Sequence, residues 1–348
     1  MKIRAFITHK KAEHFIDCQD RFSINPDTKS VALSDGMSTS WQQKLWAEIL
    51  VNEFTSKDWA PTPEAVKELS PKWKKGVEEF IRELKDKGVS ENIIYRNERN
   101  LAERKSACAT FVGVRFKDDF NWECDVLGDS CLIVKNNKEY EFYTSQEGTQ
   151  FDSYPDYFDS DDSKNGKGVV KTKTGQLSLD NNLALLVSDP FSDFLLRHKT
   201  IGDIDDYINK ILDVNTHEDF EGLVKDWRSQ GMHNDDSTLI ILEYDNENNW
   251  NILHEDDIED LINNEEQKSS KLSAKENPEN PENTENTESS VNLLIDKIIQ
   301  AFIAKVNLGR FPKKIKKKIL SKIIDYLKDV LKDVLKDVLN KYEFNIKE

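Results

Sequence analysis

The chain has 348 residues, of which 37% are hydrophobic and 9% aromatic, enough for one large core plus a segment that stays outside it. Its formal net charge of −16 excludes general nucleic-acid affinity, because phosphates are repelled by such a field. The four cysteines form no CxxC pair, and neither a signal-peptide-like start nor a membrane-length apolar run is present. We therefore expect free thiols in a reducing compartment and a cytoplasmic protein.

The first part of the chain, residues 1–263, alternates short strand patterns with blocks of helix. The β-branched-rich runs are KIRAFITH, SVALSD, ATFVGVRF, CDVLGDSCLIV, LALLVSD and STLIILEY. A helix is predicted after Ser38, with Thr39 and Gln42 forming a capping box, and further helices are predicted within 62–105. Residues 136–175 are polar and suggest an irregular surface excursion. Hairpin-length connections between strands favour an α+β fold with antiparallel sheets and helices packed outside.

The end of the chain differs in composition. Residues 264–290, rich in Asn, Pro, Glu and Thr, predict a disordered linker. Residues 291–348 form a tail with 14 Lys/Arg against 7 Asp/Glu, and apolar steps of three and one residues predict amphipathic helices. The repeated LKDV alternates charge signs, which favours a helical protein partner or self-association through 291–342. Contact with a membrane surface is the less favoured alternative.

Aspartates stand beside many of the predicted strands. They are Asp20, Asp35, Asp129, Asp189, Asp235 and Asp236. Each one alone is an ordinary turn residue, since Asp caps local backbone. Several carboxylates packed together are costly unless a cation offsets their repulsion. Oxygen-rich sites of this kind suit Mg²⁺ or Mn²⁺ better than zinc.

The ordered succession QDRF (19–22), VALSDGM (31–37), SACATFVGV (106–114), LGDSCLIV (127–134), LALLVSD (183–189) and DDSTLIIL (235–242) resembles the PP2C-type metal-dependent protein phosphatases. The resemblance covers about residues 1–245. It implies a PP2C-like sandwich of two antiparallel β-sheets flanked by helices, followed here by the helical tail. It also implies a serine/threonine protein phosphatase with two Mg²⁺ or Mn²⁺ ions and a third, weaker one. The expected partner is a phosphorylated protein substrate.

The same resemblance implies a role for each member of the acidic set. The metal-holding residues would be Asp35, Gly36 through its carbonyl, Asp189, Asp235, Asp20 and Asp129. Asp35 would bridge the two ions and Asp20 would hold the cluster through water, which makes these two the implied catalytic residues. A metal-bridging hydroxide would attack phosphorus directly, without a phosphoenzyme.

Some positions depart from the family pattern. Met37 stands where many members have histidine, and Pro190 follows Asp189 where a glycine is usual. The arginine that grips phosphate is missing, and His14 or Arg21 are the candidates to replace it. These departures motivate an alternative: a weak or inactive PP2C-fold binding module that recruits partners through its C-terminal helices.

Overall fold

The protein is represented by a computed structural model, which describes residues 1–118, 120–137, 139–145, 155–164, 166–247 and 249–275. The chain divides into two compact units, Met1–Ser270 and Lys271–Glu348. The tail at 291–348 and its inferred partners lie outside the described residues, as does most of the expected linker. The domain boundaries drawn from the sequence therefore stay predictions.

The strands of the first unit are short and are connected mostly by tight turns or by blocks of helix. They are β1 (Lys2–Thr8), β2 (Arg21–Asn25), β3 (Ser30–Ser34), β4 (Cys108–Ala109), β5 (Phe111–Phe116), β6 (Asn121–Leu127), β7 (Cys131–Asn136), β8 (Glu139–Tyr143), β9 (Phe158–Asp159), β10 (Lys171–Gln176), β11 (Leu183–Val187), β12 (Ser237–Glu243) and β13 (Asn251–Glu255).

The helices fall into two blocks and a final segment. They are α1 (Gln43–Ser56), α2 (Pro63–Lys67), α3 (Ser70–Asp86), α4 (Glu91–Ala102), α5 (Asp189–Ile201), α6 (Ile204–Leu212), α7 (His217–Ser229) and α8 (Ile258–Lys275). The last of these begins inside the expected first domain and continues past residue 263.

Two sheets make up the sandwich. One has six strands in the order β13-β1-β12-β11-β7-β8, and the other has five in the order β10-β6-β5-β3-β2. Neighbouring strands of these sheets pair antiparallel, except that β13 runs parallel to β1. The expected α+β fold, with two antiparallel sheets flanked by helices, is confirmed.

The central strands of the six-stranded sheet are buried on both faces, which explains why they read as unbroken apolar runs. In β12, Ile240 and Leu242 face the core between the sheets, whereas Leu239 and Ile241 face helices α5–α7. In β11, Leu186 likewise faces the inter-sheet core. Successive side chains of a strand point to opposite faces, so one strand contributes to two cores.

Helices α1 and α3 cover the outer face of the five-stranded sheet. Trp46 and Phe54 of α1 and Trp73 of α3 are fully buried there together with Ala32 and Phe111. This packing holds α1 against the five-stranded sheet, to which β3 belongs. Trp46 and Trp73 are therefore core residues.

Two details of the sequence interpretation were wrong. Helix α1 begins at Gln43, its N-cap residue Gln42 adopts a left-handed conformation with φ 57°, and no side chain caps it. The region 136–175 is not uniformly irregular, since it contributes the edge strands β8 and β10 to the two sheets. Strand β10 is polar and mostly exposed, and β8 alternates polar with aromatic residues and is partly exposed, as expected of edge strands.

Over the ranges that the structure describes, no helix has the length and apolar character to cross a membrane. The four cysteines are free thiols.

Candidate functional site

The structure brings five of the predicted aspartates into one neighbourhood, which we call the acidic cluster: Asp20, Asp35, Asp129, Asp189 and Asp235. Each lies where a strand begins or ends. Asp35 follows β3, Asp129 lies between β6 and β7, and Asp189 opens α5 directly after β11. The charges of the other four members all act on the carboxyl of Asp35. The sandwich therefore assembles residues that are more than 200 positions apart in sequence.

Burial and mutual repulsion raise the pKa values of Asp20, Asp35, Asp129 and Asp189. Burial, followed by the charges of its neighbours, raises the pKa of Asp35 well above its ordinary value. Burial raises the pKa of the fully buried Asp20 to about 7, with further contributions from Asp236 and Asp235. Asp129 reaches a pKa of about 6, again mainly through burial. The pKa of Asp189 is raised well above its ordinary value by burial and by Asp129. A positive charge at this place would reverse each shift.

Three carboxylate oxygens in the acidic cluster are buried and have no hydrogen-bond partner among the described residues: Oδ1 of Asp20, of Asp129 and of Asp189. Such atoms are rare in folded proteins, because an unpartnered buried acceptor costs roughly 1–3 kcal/mol. Asp20 uses only its other oxygen, Oδ2, which accepts a hydrogen bond from Thr238 Oγ1 at 2.7 Å. Hard carboxylate oxygens without partners are the ligand type that Mg²⁺ and Mn²⁺ prefer.

The arrangement is not yet a coordination sphere. In the described part of the chain, no group of three or more His, Cys, Asp or Glu side chains is placed so that it could hold a metal ion. The carboxylate oxygens are of the chemical type that binds a divalent cation, but their positions would have to adjust to bind one. Mutual repulsion between like charges is a physical reason for carboxylates to stay apart.

Lys10 is a functional candidate that the sequence interpretation missed. Its Nζ lies 2.9 Å from Asp235 Oδ1 and donates to Ser38 Oγ at 3.0 Å. Burial alone would lower the pKa of Lys10, but the hydrogen bond to Asp235 and the charges of Asp235 and Asp236 raise it. Lys10 thus places one cationic group beside the acidic cluster. Only the tertiary structure reveals it, because it lies in a run of ordinary loop residues.

Asp236 has a different role from Asp235. It is buried, and its two oxygens accept the backbone N–H groups of Lys10 at 2.9 Å and of Gln19 at 2.7 Å. Asp235 accepts the N–H of Asp236 in addition to Lys10, at 2.8 Å. Asp236 is therefore an anchor for the loop that carries Lys10, whereas Asp235 belongs to the acidic cluster, where its charge acts on Asp35.

Gly36 is required by the packing of α1. A Cβ atom at this position would lie 2.9 Å from Gln43 Cγ and 3.0 Å from the Gln43 carbonyl carbon. Gly36 also forms an isolated antiparallel bridge with Ala109. The glycine thus lets the end of β3 approach both a helix and a neighbouring strand, which is a reason for its presence independent of any ligand.

Pro190 is compatible with its place in the fold. It lies in the first turn of α5, after Ser188 at the N-cap and Asp189 at the first helical position. A proline is tolerated there because the first-turn N–H groups have no partner within the helix. Asp189 also lies at the positive end of the helix dipole, which favours its charged form. Proline in place of glycine at position 190 is therefore compatible with helix α5 starting at Asp189.

The two residues predicted to grip phosphate differ in their surroundings. Arg21 donates through Nη1 to the carbonyl oxygens of Cys18 and Asp20, at 2.9 and 2.6 Å, and so braces the backbone beside the acidic cluster. His14 is exposed, and its Nδ1 lies 2.9 Å from Glu265 Oε1 of α8. The described contacts of His14 thus lead to α8, and a phosphate-binding role for either residue stays a prediction.

Comparisons with known proteins give the following picture. Neither a protein-family model nor a curated protein sequence matches the chain. Among solved structures, the serine/threonine phosphatase Stp1 from Staphylococcus aureus is 14% identical, with a TM-score of 0.45, covering 70% of this chain and 94% of that one. The photosystem II phosphatase PBCP is 14% identical, with a TM-score of 0.42, over 70% of this chain and 98% of that one.

A third similar structure is the catalytic domain of the serine/threonine protein phosphatase PstP in complex with two manganese ions. It is 12% identical, with a TM-score of 0.38, and the match covers 69% of this chain and 96% of that domain. At such identities a likeness concerns the fold alone.

Proposed function

We propose that the protein is a Mg²⁺- or Mn²⁺-dependent phosphatase that acts on phosphoserine and phosphothreonine in proteins. The observation that carries the proposal is the presence of three buried carboxylate oxygens without partners within the acidic cluster. A divalent cation would offset the repulsion between the carboxylates of the acidic cluster, and the same cation would stabilise negative charge on the oxygens of a phosphoryl group. The residues that would hold metal are Asp35, Asp189, Asp235, Asp20, Asp129 and the carbonyl of Gly36.

Bound metal would supply Lewis-acid polarisation of the phosphoryl oxygens and a nucleophilic water at neutral pH. The chain's own residues then have three tasks. Lys10 can exchange its contacts with Asp235 and Ser38 for an oxygen of the substrate phosphate, because a lysine is a mobile point charge. Thr238 holds one oxygen of Asp20, which orients the other toward the acidic cluster. Arg21 keeps the backbone of Asp20 in place.

The test is hydrolysis of p-nitrophenyl phosphate and of a phosphothreonine peptide by the full-length protein, with Mn²⁺ and with EDTA. We expect activity with Mn²⁺, its loss in EDTA, and a loss of at least about 100-fold in the Asp35→Asn variant, as for removal of one key electrostatic contributor. Glu259→Gln, an exposed carboxylate on α8, is the matched control and should retain activity. Wild-type protein no more active than Asp35→Asn with any divalent metal would exclude the proposal.

A binding module without turnover is the second candidate, and the ion pair between Lys10 and Asp235 favours it. A lysine at 2.9 Å can neutralise part of the acidic cluster in place of a metal ion. Isothermal titration with Mn²⁺ separates the two functions: a phosphatase binds the ion, and Asp189→Asn weakens that binding. A chain that binds no divalent cation but retains its fold would support the binding module.

A further inference from the structure

The loop between β1 and β2, residues 9–19, joins the acidic cluster to helix α8. On its inner side the loop is held by the residues that precede β12. The N–H groups of Lys10 and Gln19 donate to the two oxygens of Asp236, and the N–H of Lys11 donates to Asn234 Oδ1 at 2.8 Å. Both ends of the loop are therefore fixed to one buried carboxylate, directly beside Asp235 and Asp20.

On its outer side the same loop contacts α8 through Glu265. Its Oε2 accepts the backbone N–H of Phe15 at 2.9 Å, and its Oε1 accepts from His14 Nδ1 at 2.9 Å. His9 Nε2 lies 3.8 Å from the same Oε1. One carboxylate thus contacts three residues of the loop, although α8 lies about 250 positions away in sequence.

The middle of the loop needs such a partner. Phe15–Asp17 form a single 3-10 turn of 3 residues, and no side chain caps it at its N-terminal residue, His14. So short a turn has little stability of its own, and its first N–H groups have no partner within it. Phe15 is nevertheless buried, with its ring edge-on to His9 at 4.6 Å. The Glu265 carboxylate satisfies the Phe15 N–H and supplies negative charge at the N-terminal end of the turn.

We propose that Glu265 is a positioning residue for the acidic cluster: it fixes the 9–19 loop from outside, and the loop in turn fixes Lys10 and the backbone leading into Asp20. The consequence for turnover rests on the proposed phosphatase function. The positioning itself does not, since it concerns contacts of the protein alone. Helix α8 thereby takes part in the site although none of its described side chains belongs to the acidic cluster.

Residue-resolved hydrogen exchange on the full chain in EDTA tests the positioning. In Glu265→Ala we expect the Phe15 amide to exchange at least about tenfold faster, because it loses a charge-assisted hydrogen bond. The decisive readout is the amides of Lys10 and Gln19, which do not contact Glu265. They should also exchange about tenfold faster if the loop moves as a unit. Glu265→Gln keeps one acceptor oxygen and should give an intermediate effect, and it serves if the alanine variant does not fold.

Glu259→Ala is the matched control, since it removes an exposed carboxylate from the same helix, and all three amides should exchange as in the wild type. Faster exchange at Phe15 with unchanged Lys10 and Gln19 would show that Glu265 acts only locally, and would overturn the inference.

Turnover of p-nitrophenyl phosphate at saturating Mn²⁺ is measured on the same variants. We expect kcat to fall about tenfold in Glu265→Ala, as for a displaced positioning group, and to stay unchanged in the control. If Glu265→Ala speeds exchange at Lys10 and Gln19 but the wild type has no phosphatase activity, the positioning stands and the proposed function fails. If the wild type is active but Glu265→Ala leaves exchange at Lys10 and Gln19 unchanged, the proposed function stands and the positioning fails.

Discussion

At the scale of single residues, the acidic cluster lowers the stability of the fold while providing the carboxylates that the proposed function needs. Asp20 is fully buried, and one of its oxygens has no partner among the described residues. Burial and the charge of Asp236 raise its pKa to about 7, against an ordinary value of 3.8. A group that binds its proton more tightly in the folded state stabilises the fold fully below the unfolded pKa, and that contribution is lost as pH rises through the folded pKa.

Asp20→Asn should therefore become relatively more stable as pH rises. In EDTA, we expect the difference in free energy of unfolding between variant and wild type to shift by about 1–3 kcal/mol in favour of the variant between pH 5 and pH 8. Urea denaturation at the two pH values measures this shift. The same difference at both pH values would mean that Asp20 does not titrate in this range.

Lys10 should matter most when metal is absent. Its ion pair with Asp235 is partly buried, so Lys10→Met removes the cationic partner of the Asp235 carboxylate. We expect Lys10→Met to lower the free energy of unfolding by about 1–2 kcal/mol in EDTA, and saturating Mn²⁺ to reduce that deficit. Lys11→Met, at an exposed neighbouring lysine, is the control. If Mn²⁺ does not change the stability difference between Lys10→Met and wild type, Lys10 and the metal do not offset the same negative charge.

At the scale of elements, one buried carboxylate, Asp256, lies between strand β13 and helix α8 and contacts three other elements or their ends. It accepts the N–H of Ile7 in β1, and its oxygens also lie 2.9 Å from His217 Nδ1 at the start of α7 and from His254 Nε2 in β13. Burial alone would lower the pKa of His217, but its hydrogen bonds to Asp256 and Glu221 raise it to about 9. The network therefore ties three elements together most strongly when His217 is charged.

His217→Gln keeps a hydrogen-bond donor but loses the charge. The raised pKa means that the stabilising effect of His217 is complete below its ordinary pKa of 6.5 and is lost as pH rises through about 9. We expect the variant to be about 1–2 kcal/mol less stable than the wild type at pH 6, and nearly equal at pH 10. Urea denaturation at both pH values provides the comparison, and an equal deficit at both would indicate a packing effect instead.

At the scale of the whole molecule, the sandwich confines the acidic cluster between elements that pack through three separate cores. A cation that binds only the folded state stabilises it by about 2.7 kcal/mol at 100 times its dissociation constant. For a domain of this size, that corresponds to a rise in Tm of about 5–10 °C. The whole protein should show this rise with Mn²⁺ or Mg²⁺ in a thermal scan.

Asp189→Asn should abolish most of the metal-dependent rise in Tm while keeping the Tm in EDTA at or above that of the wild type, because one buried like charge is removed. Wild-type protein whose Tm does not respond to either metal would contradict a metal-binding cluster and favour the binding module.

The sequence by itself was sufficient for the layered fold and for the identity of the acidic set. Runs such as LALLVSD and STLIILEY predict strands, and their order with the helical blocks predicts an α+β fold of antiparallel sheets with helices outside. The two-sheet sandwich followed from the resemblance to the PP2C-type phosphatases. Asp35, Asp189 and Asp235 could be singled out because they adjoin those runs. These signals are contained in short stretches of sequence, so they can be recognised before the packing of the chain is known.

Only the tertiary structure decided what surrounds these aspartates. The position of Lys10 beside Asp235, the role of Asp236 as an anchor and the contact of Glu265 with the 9–19 loop all depend on residues far apart in sequence. Helix α1 likewise begins at Gln43 without a side-chain cap, although the local pattern at Thr39 and Gln42 predicts a capping box. Electrostatic environment and close approach are properties of the assembled chain, and no single stretch of sequence contains them.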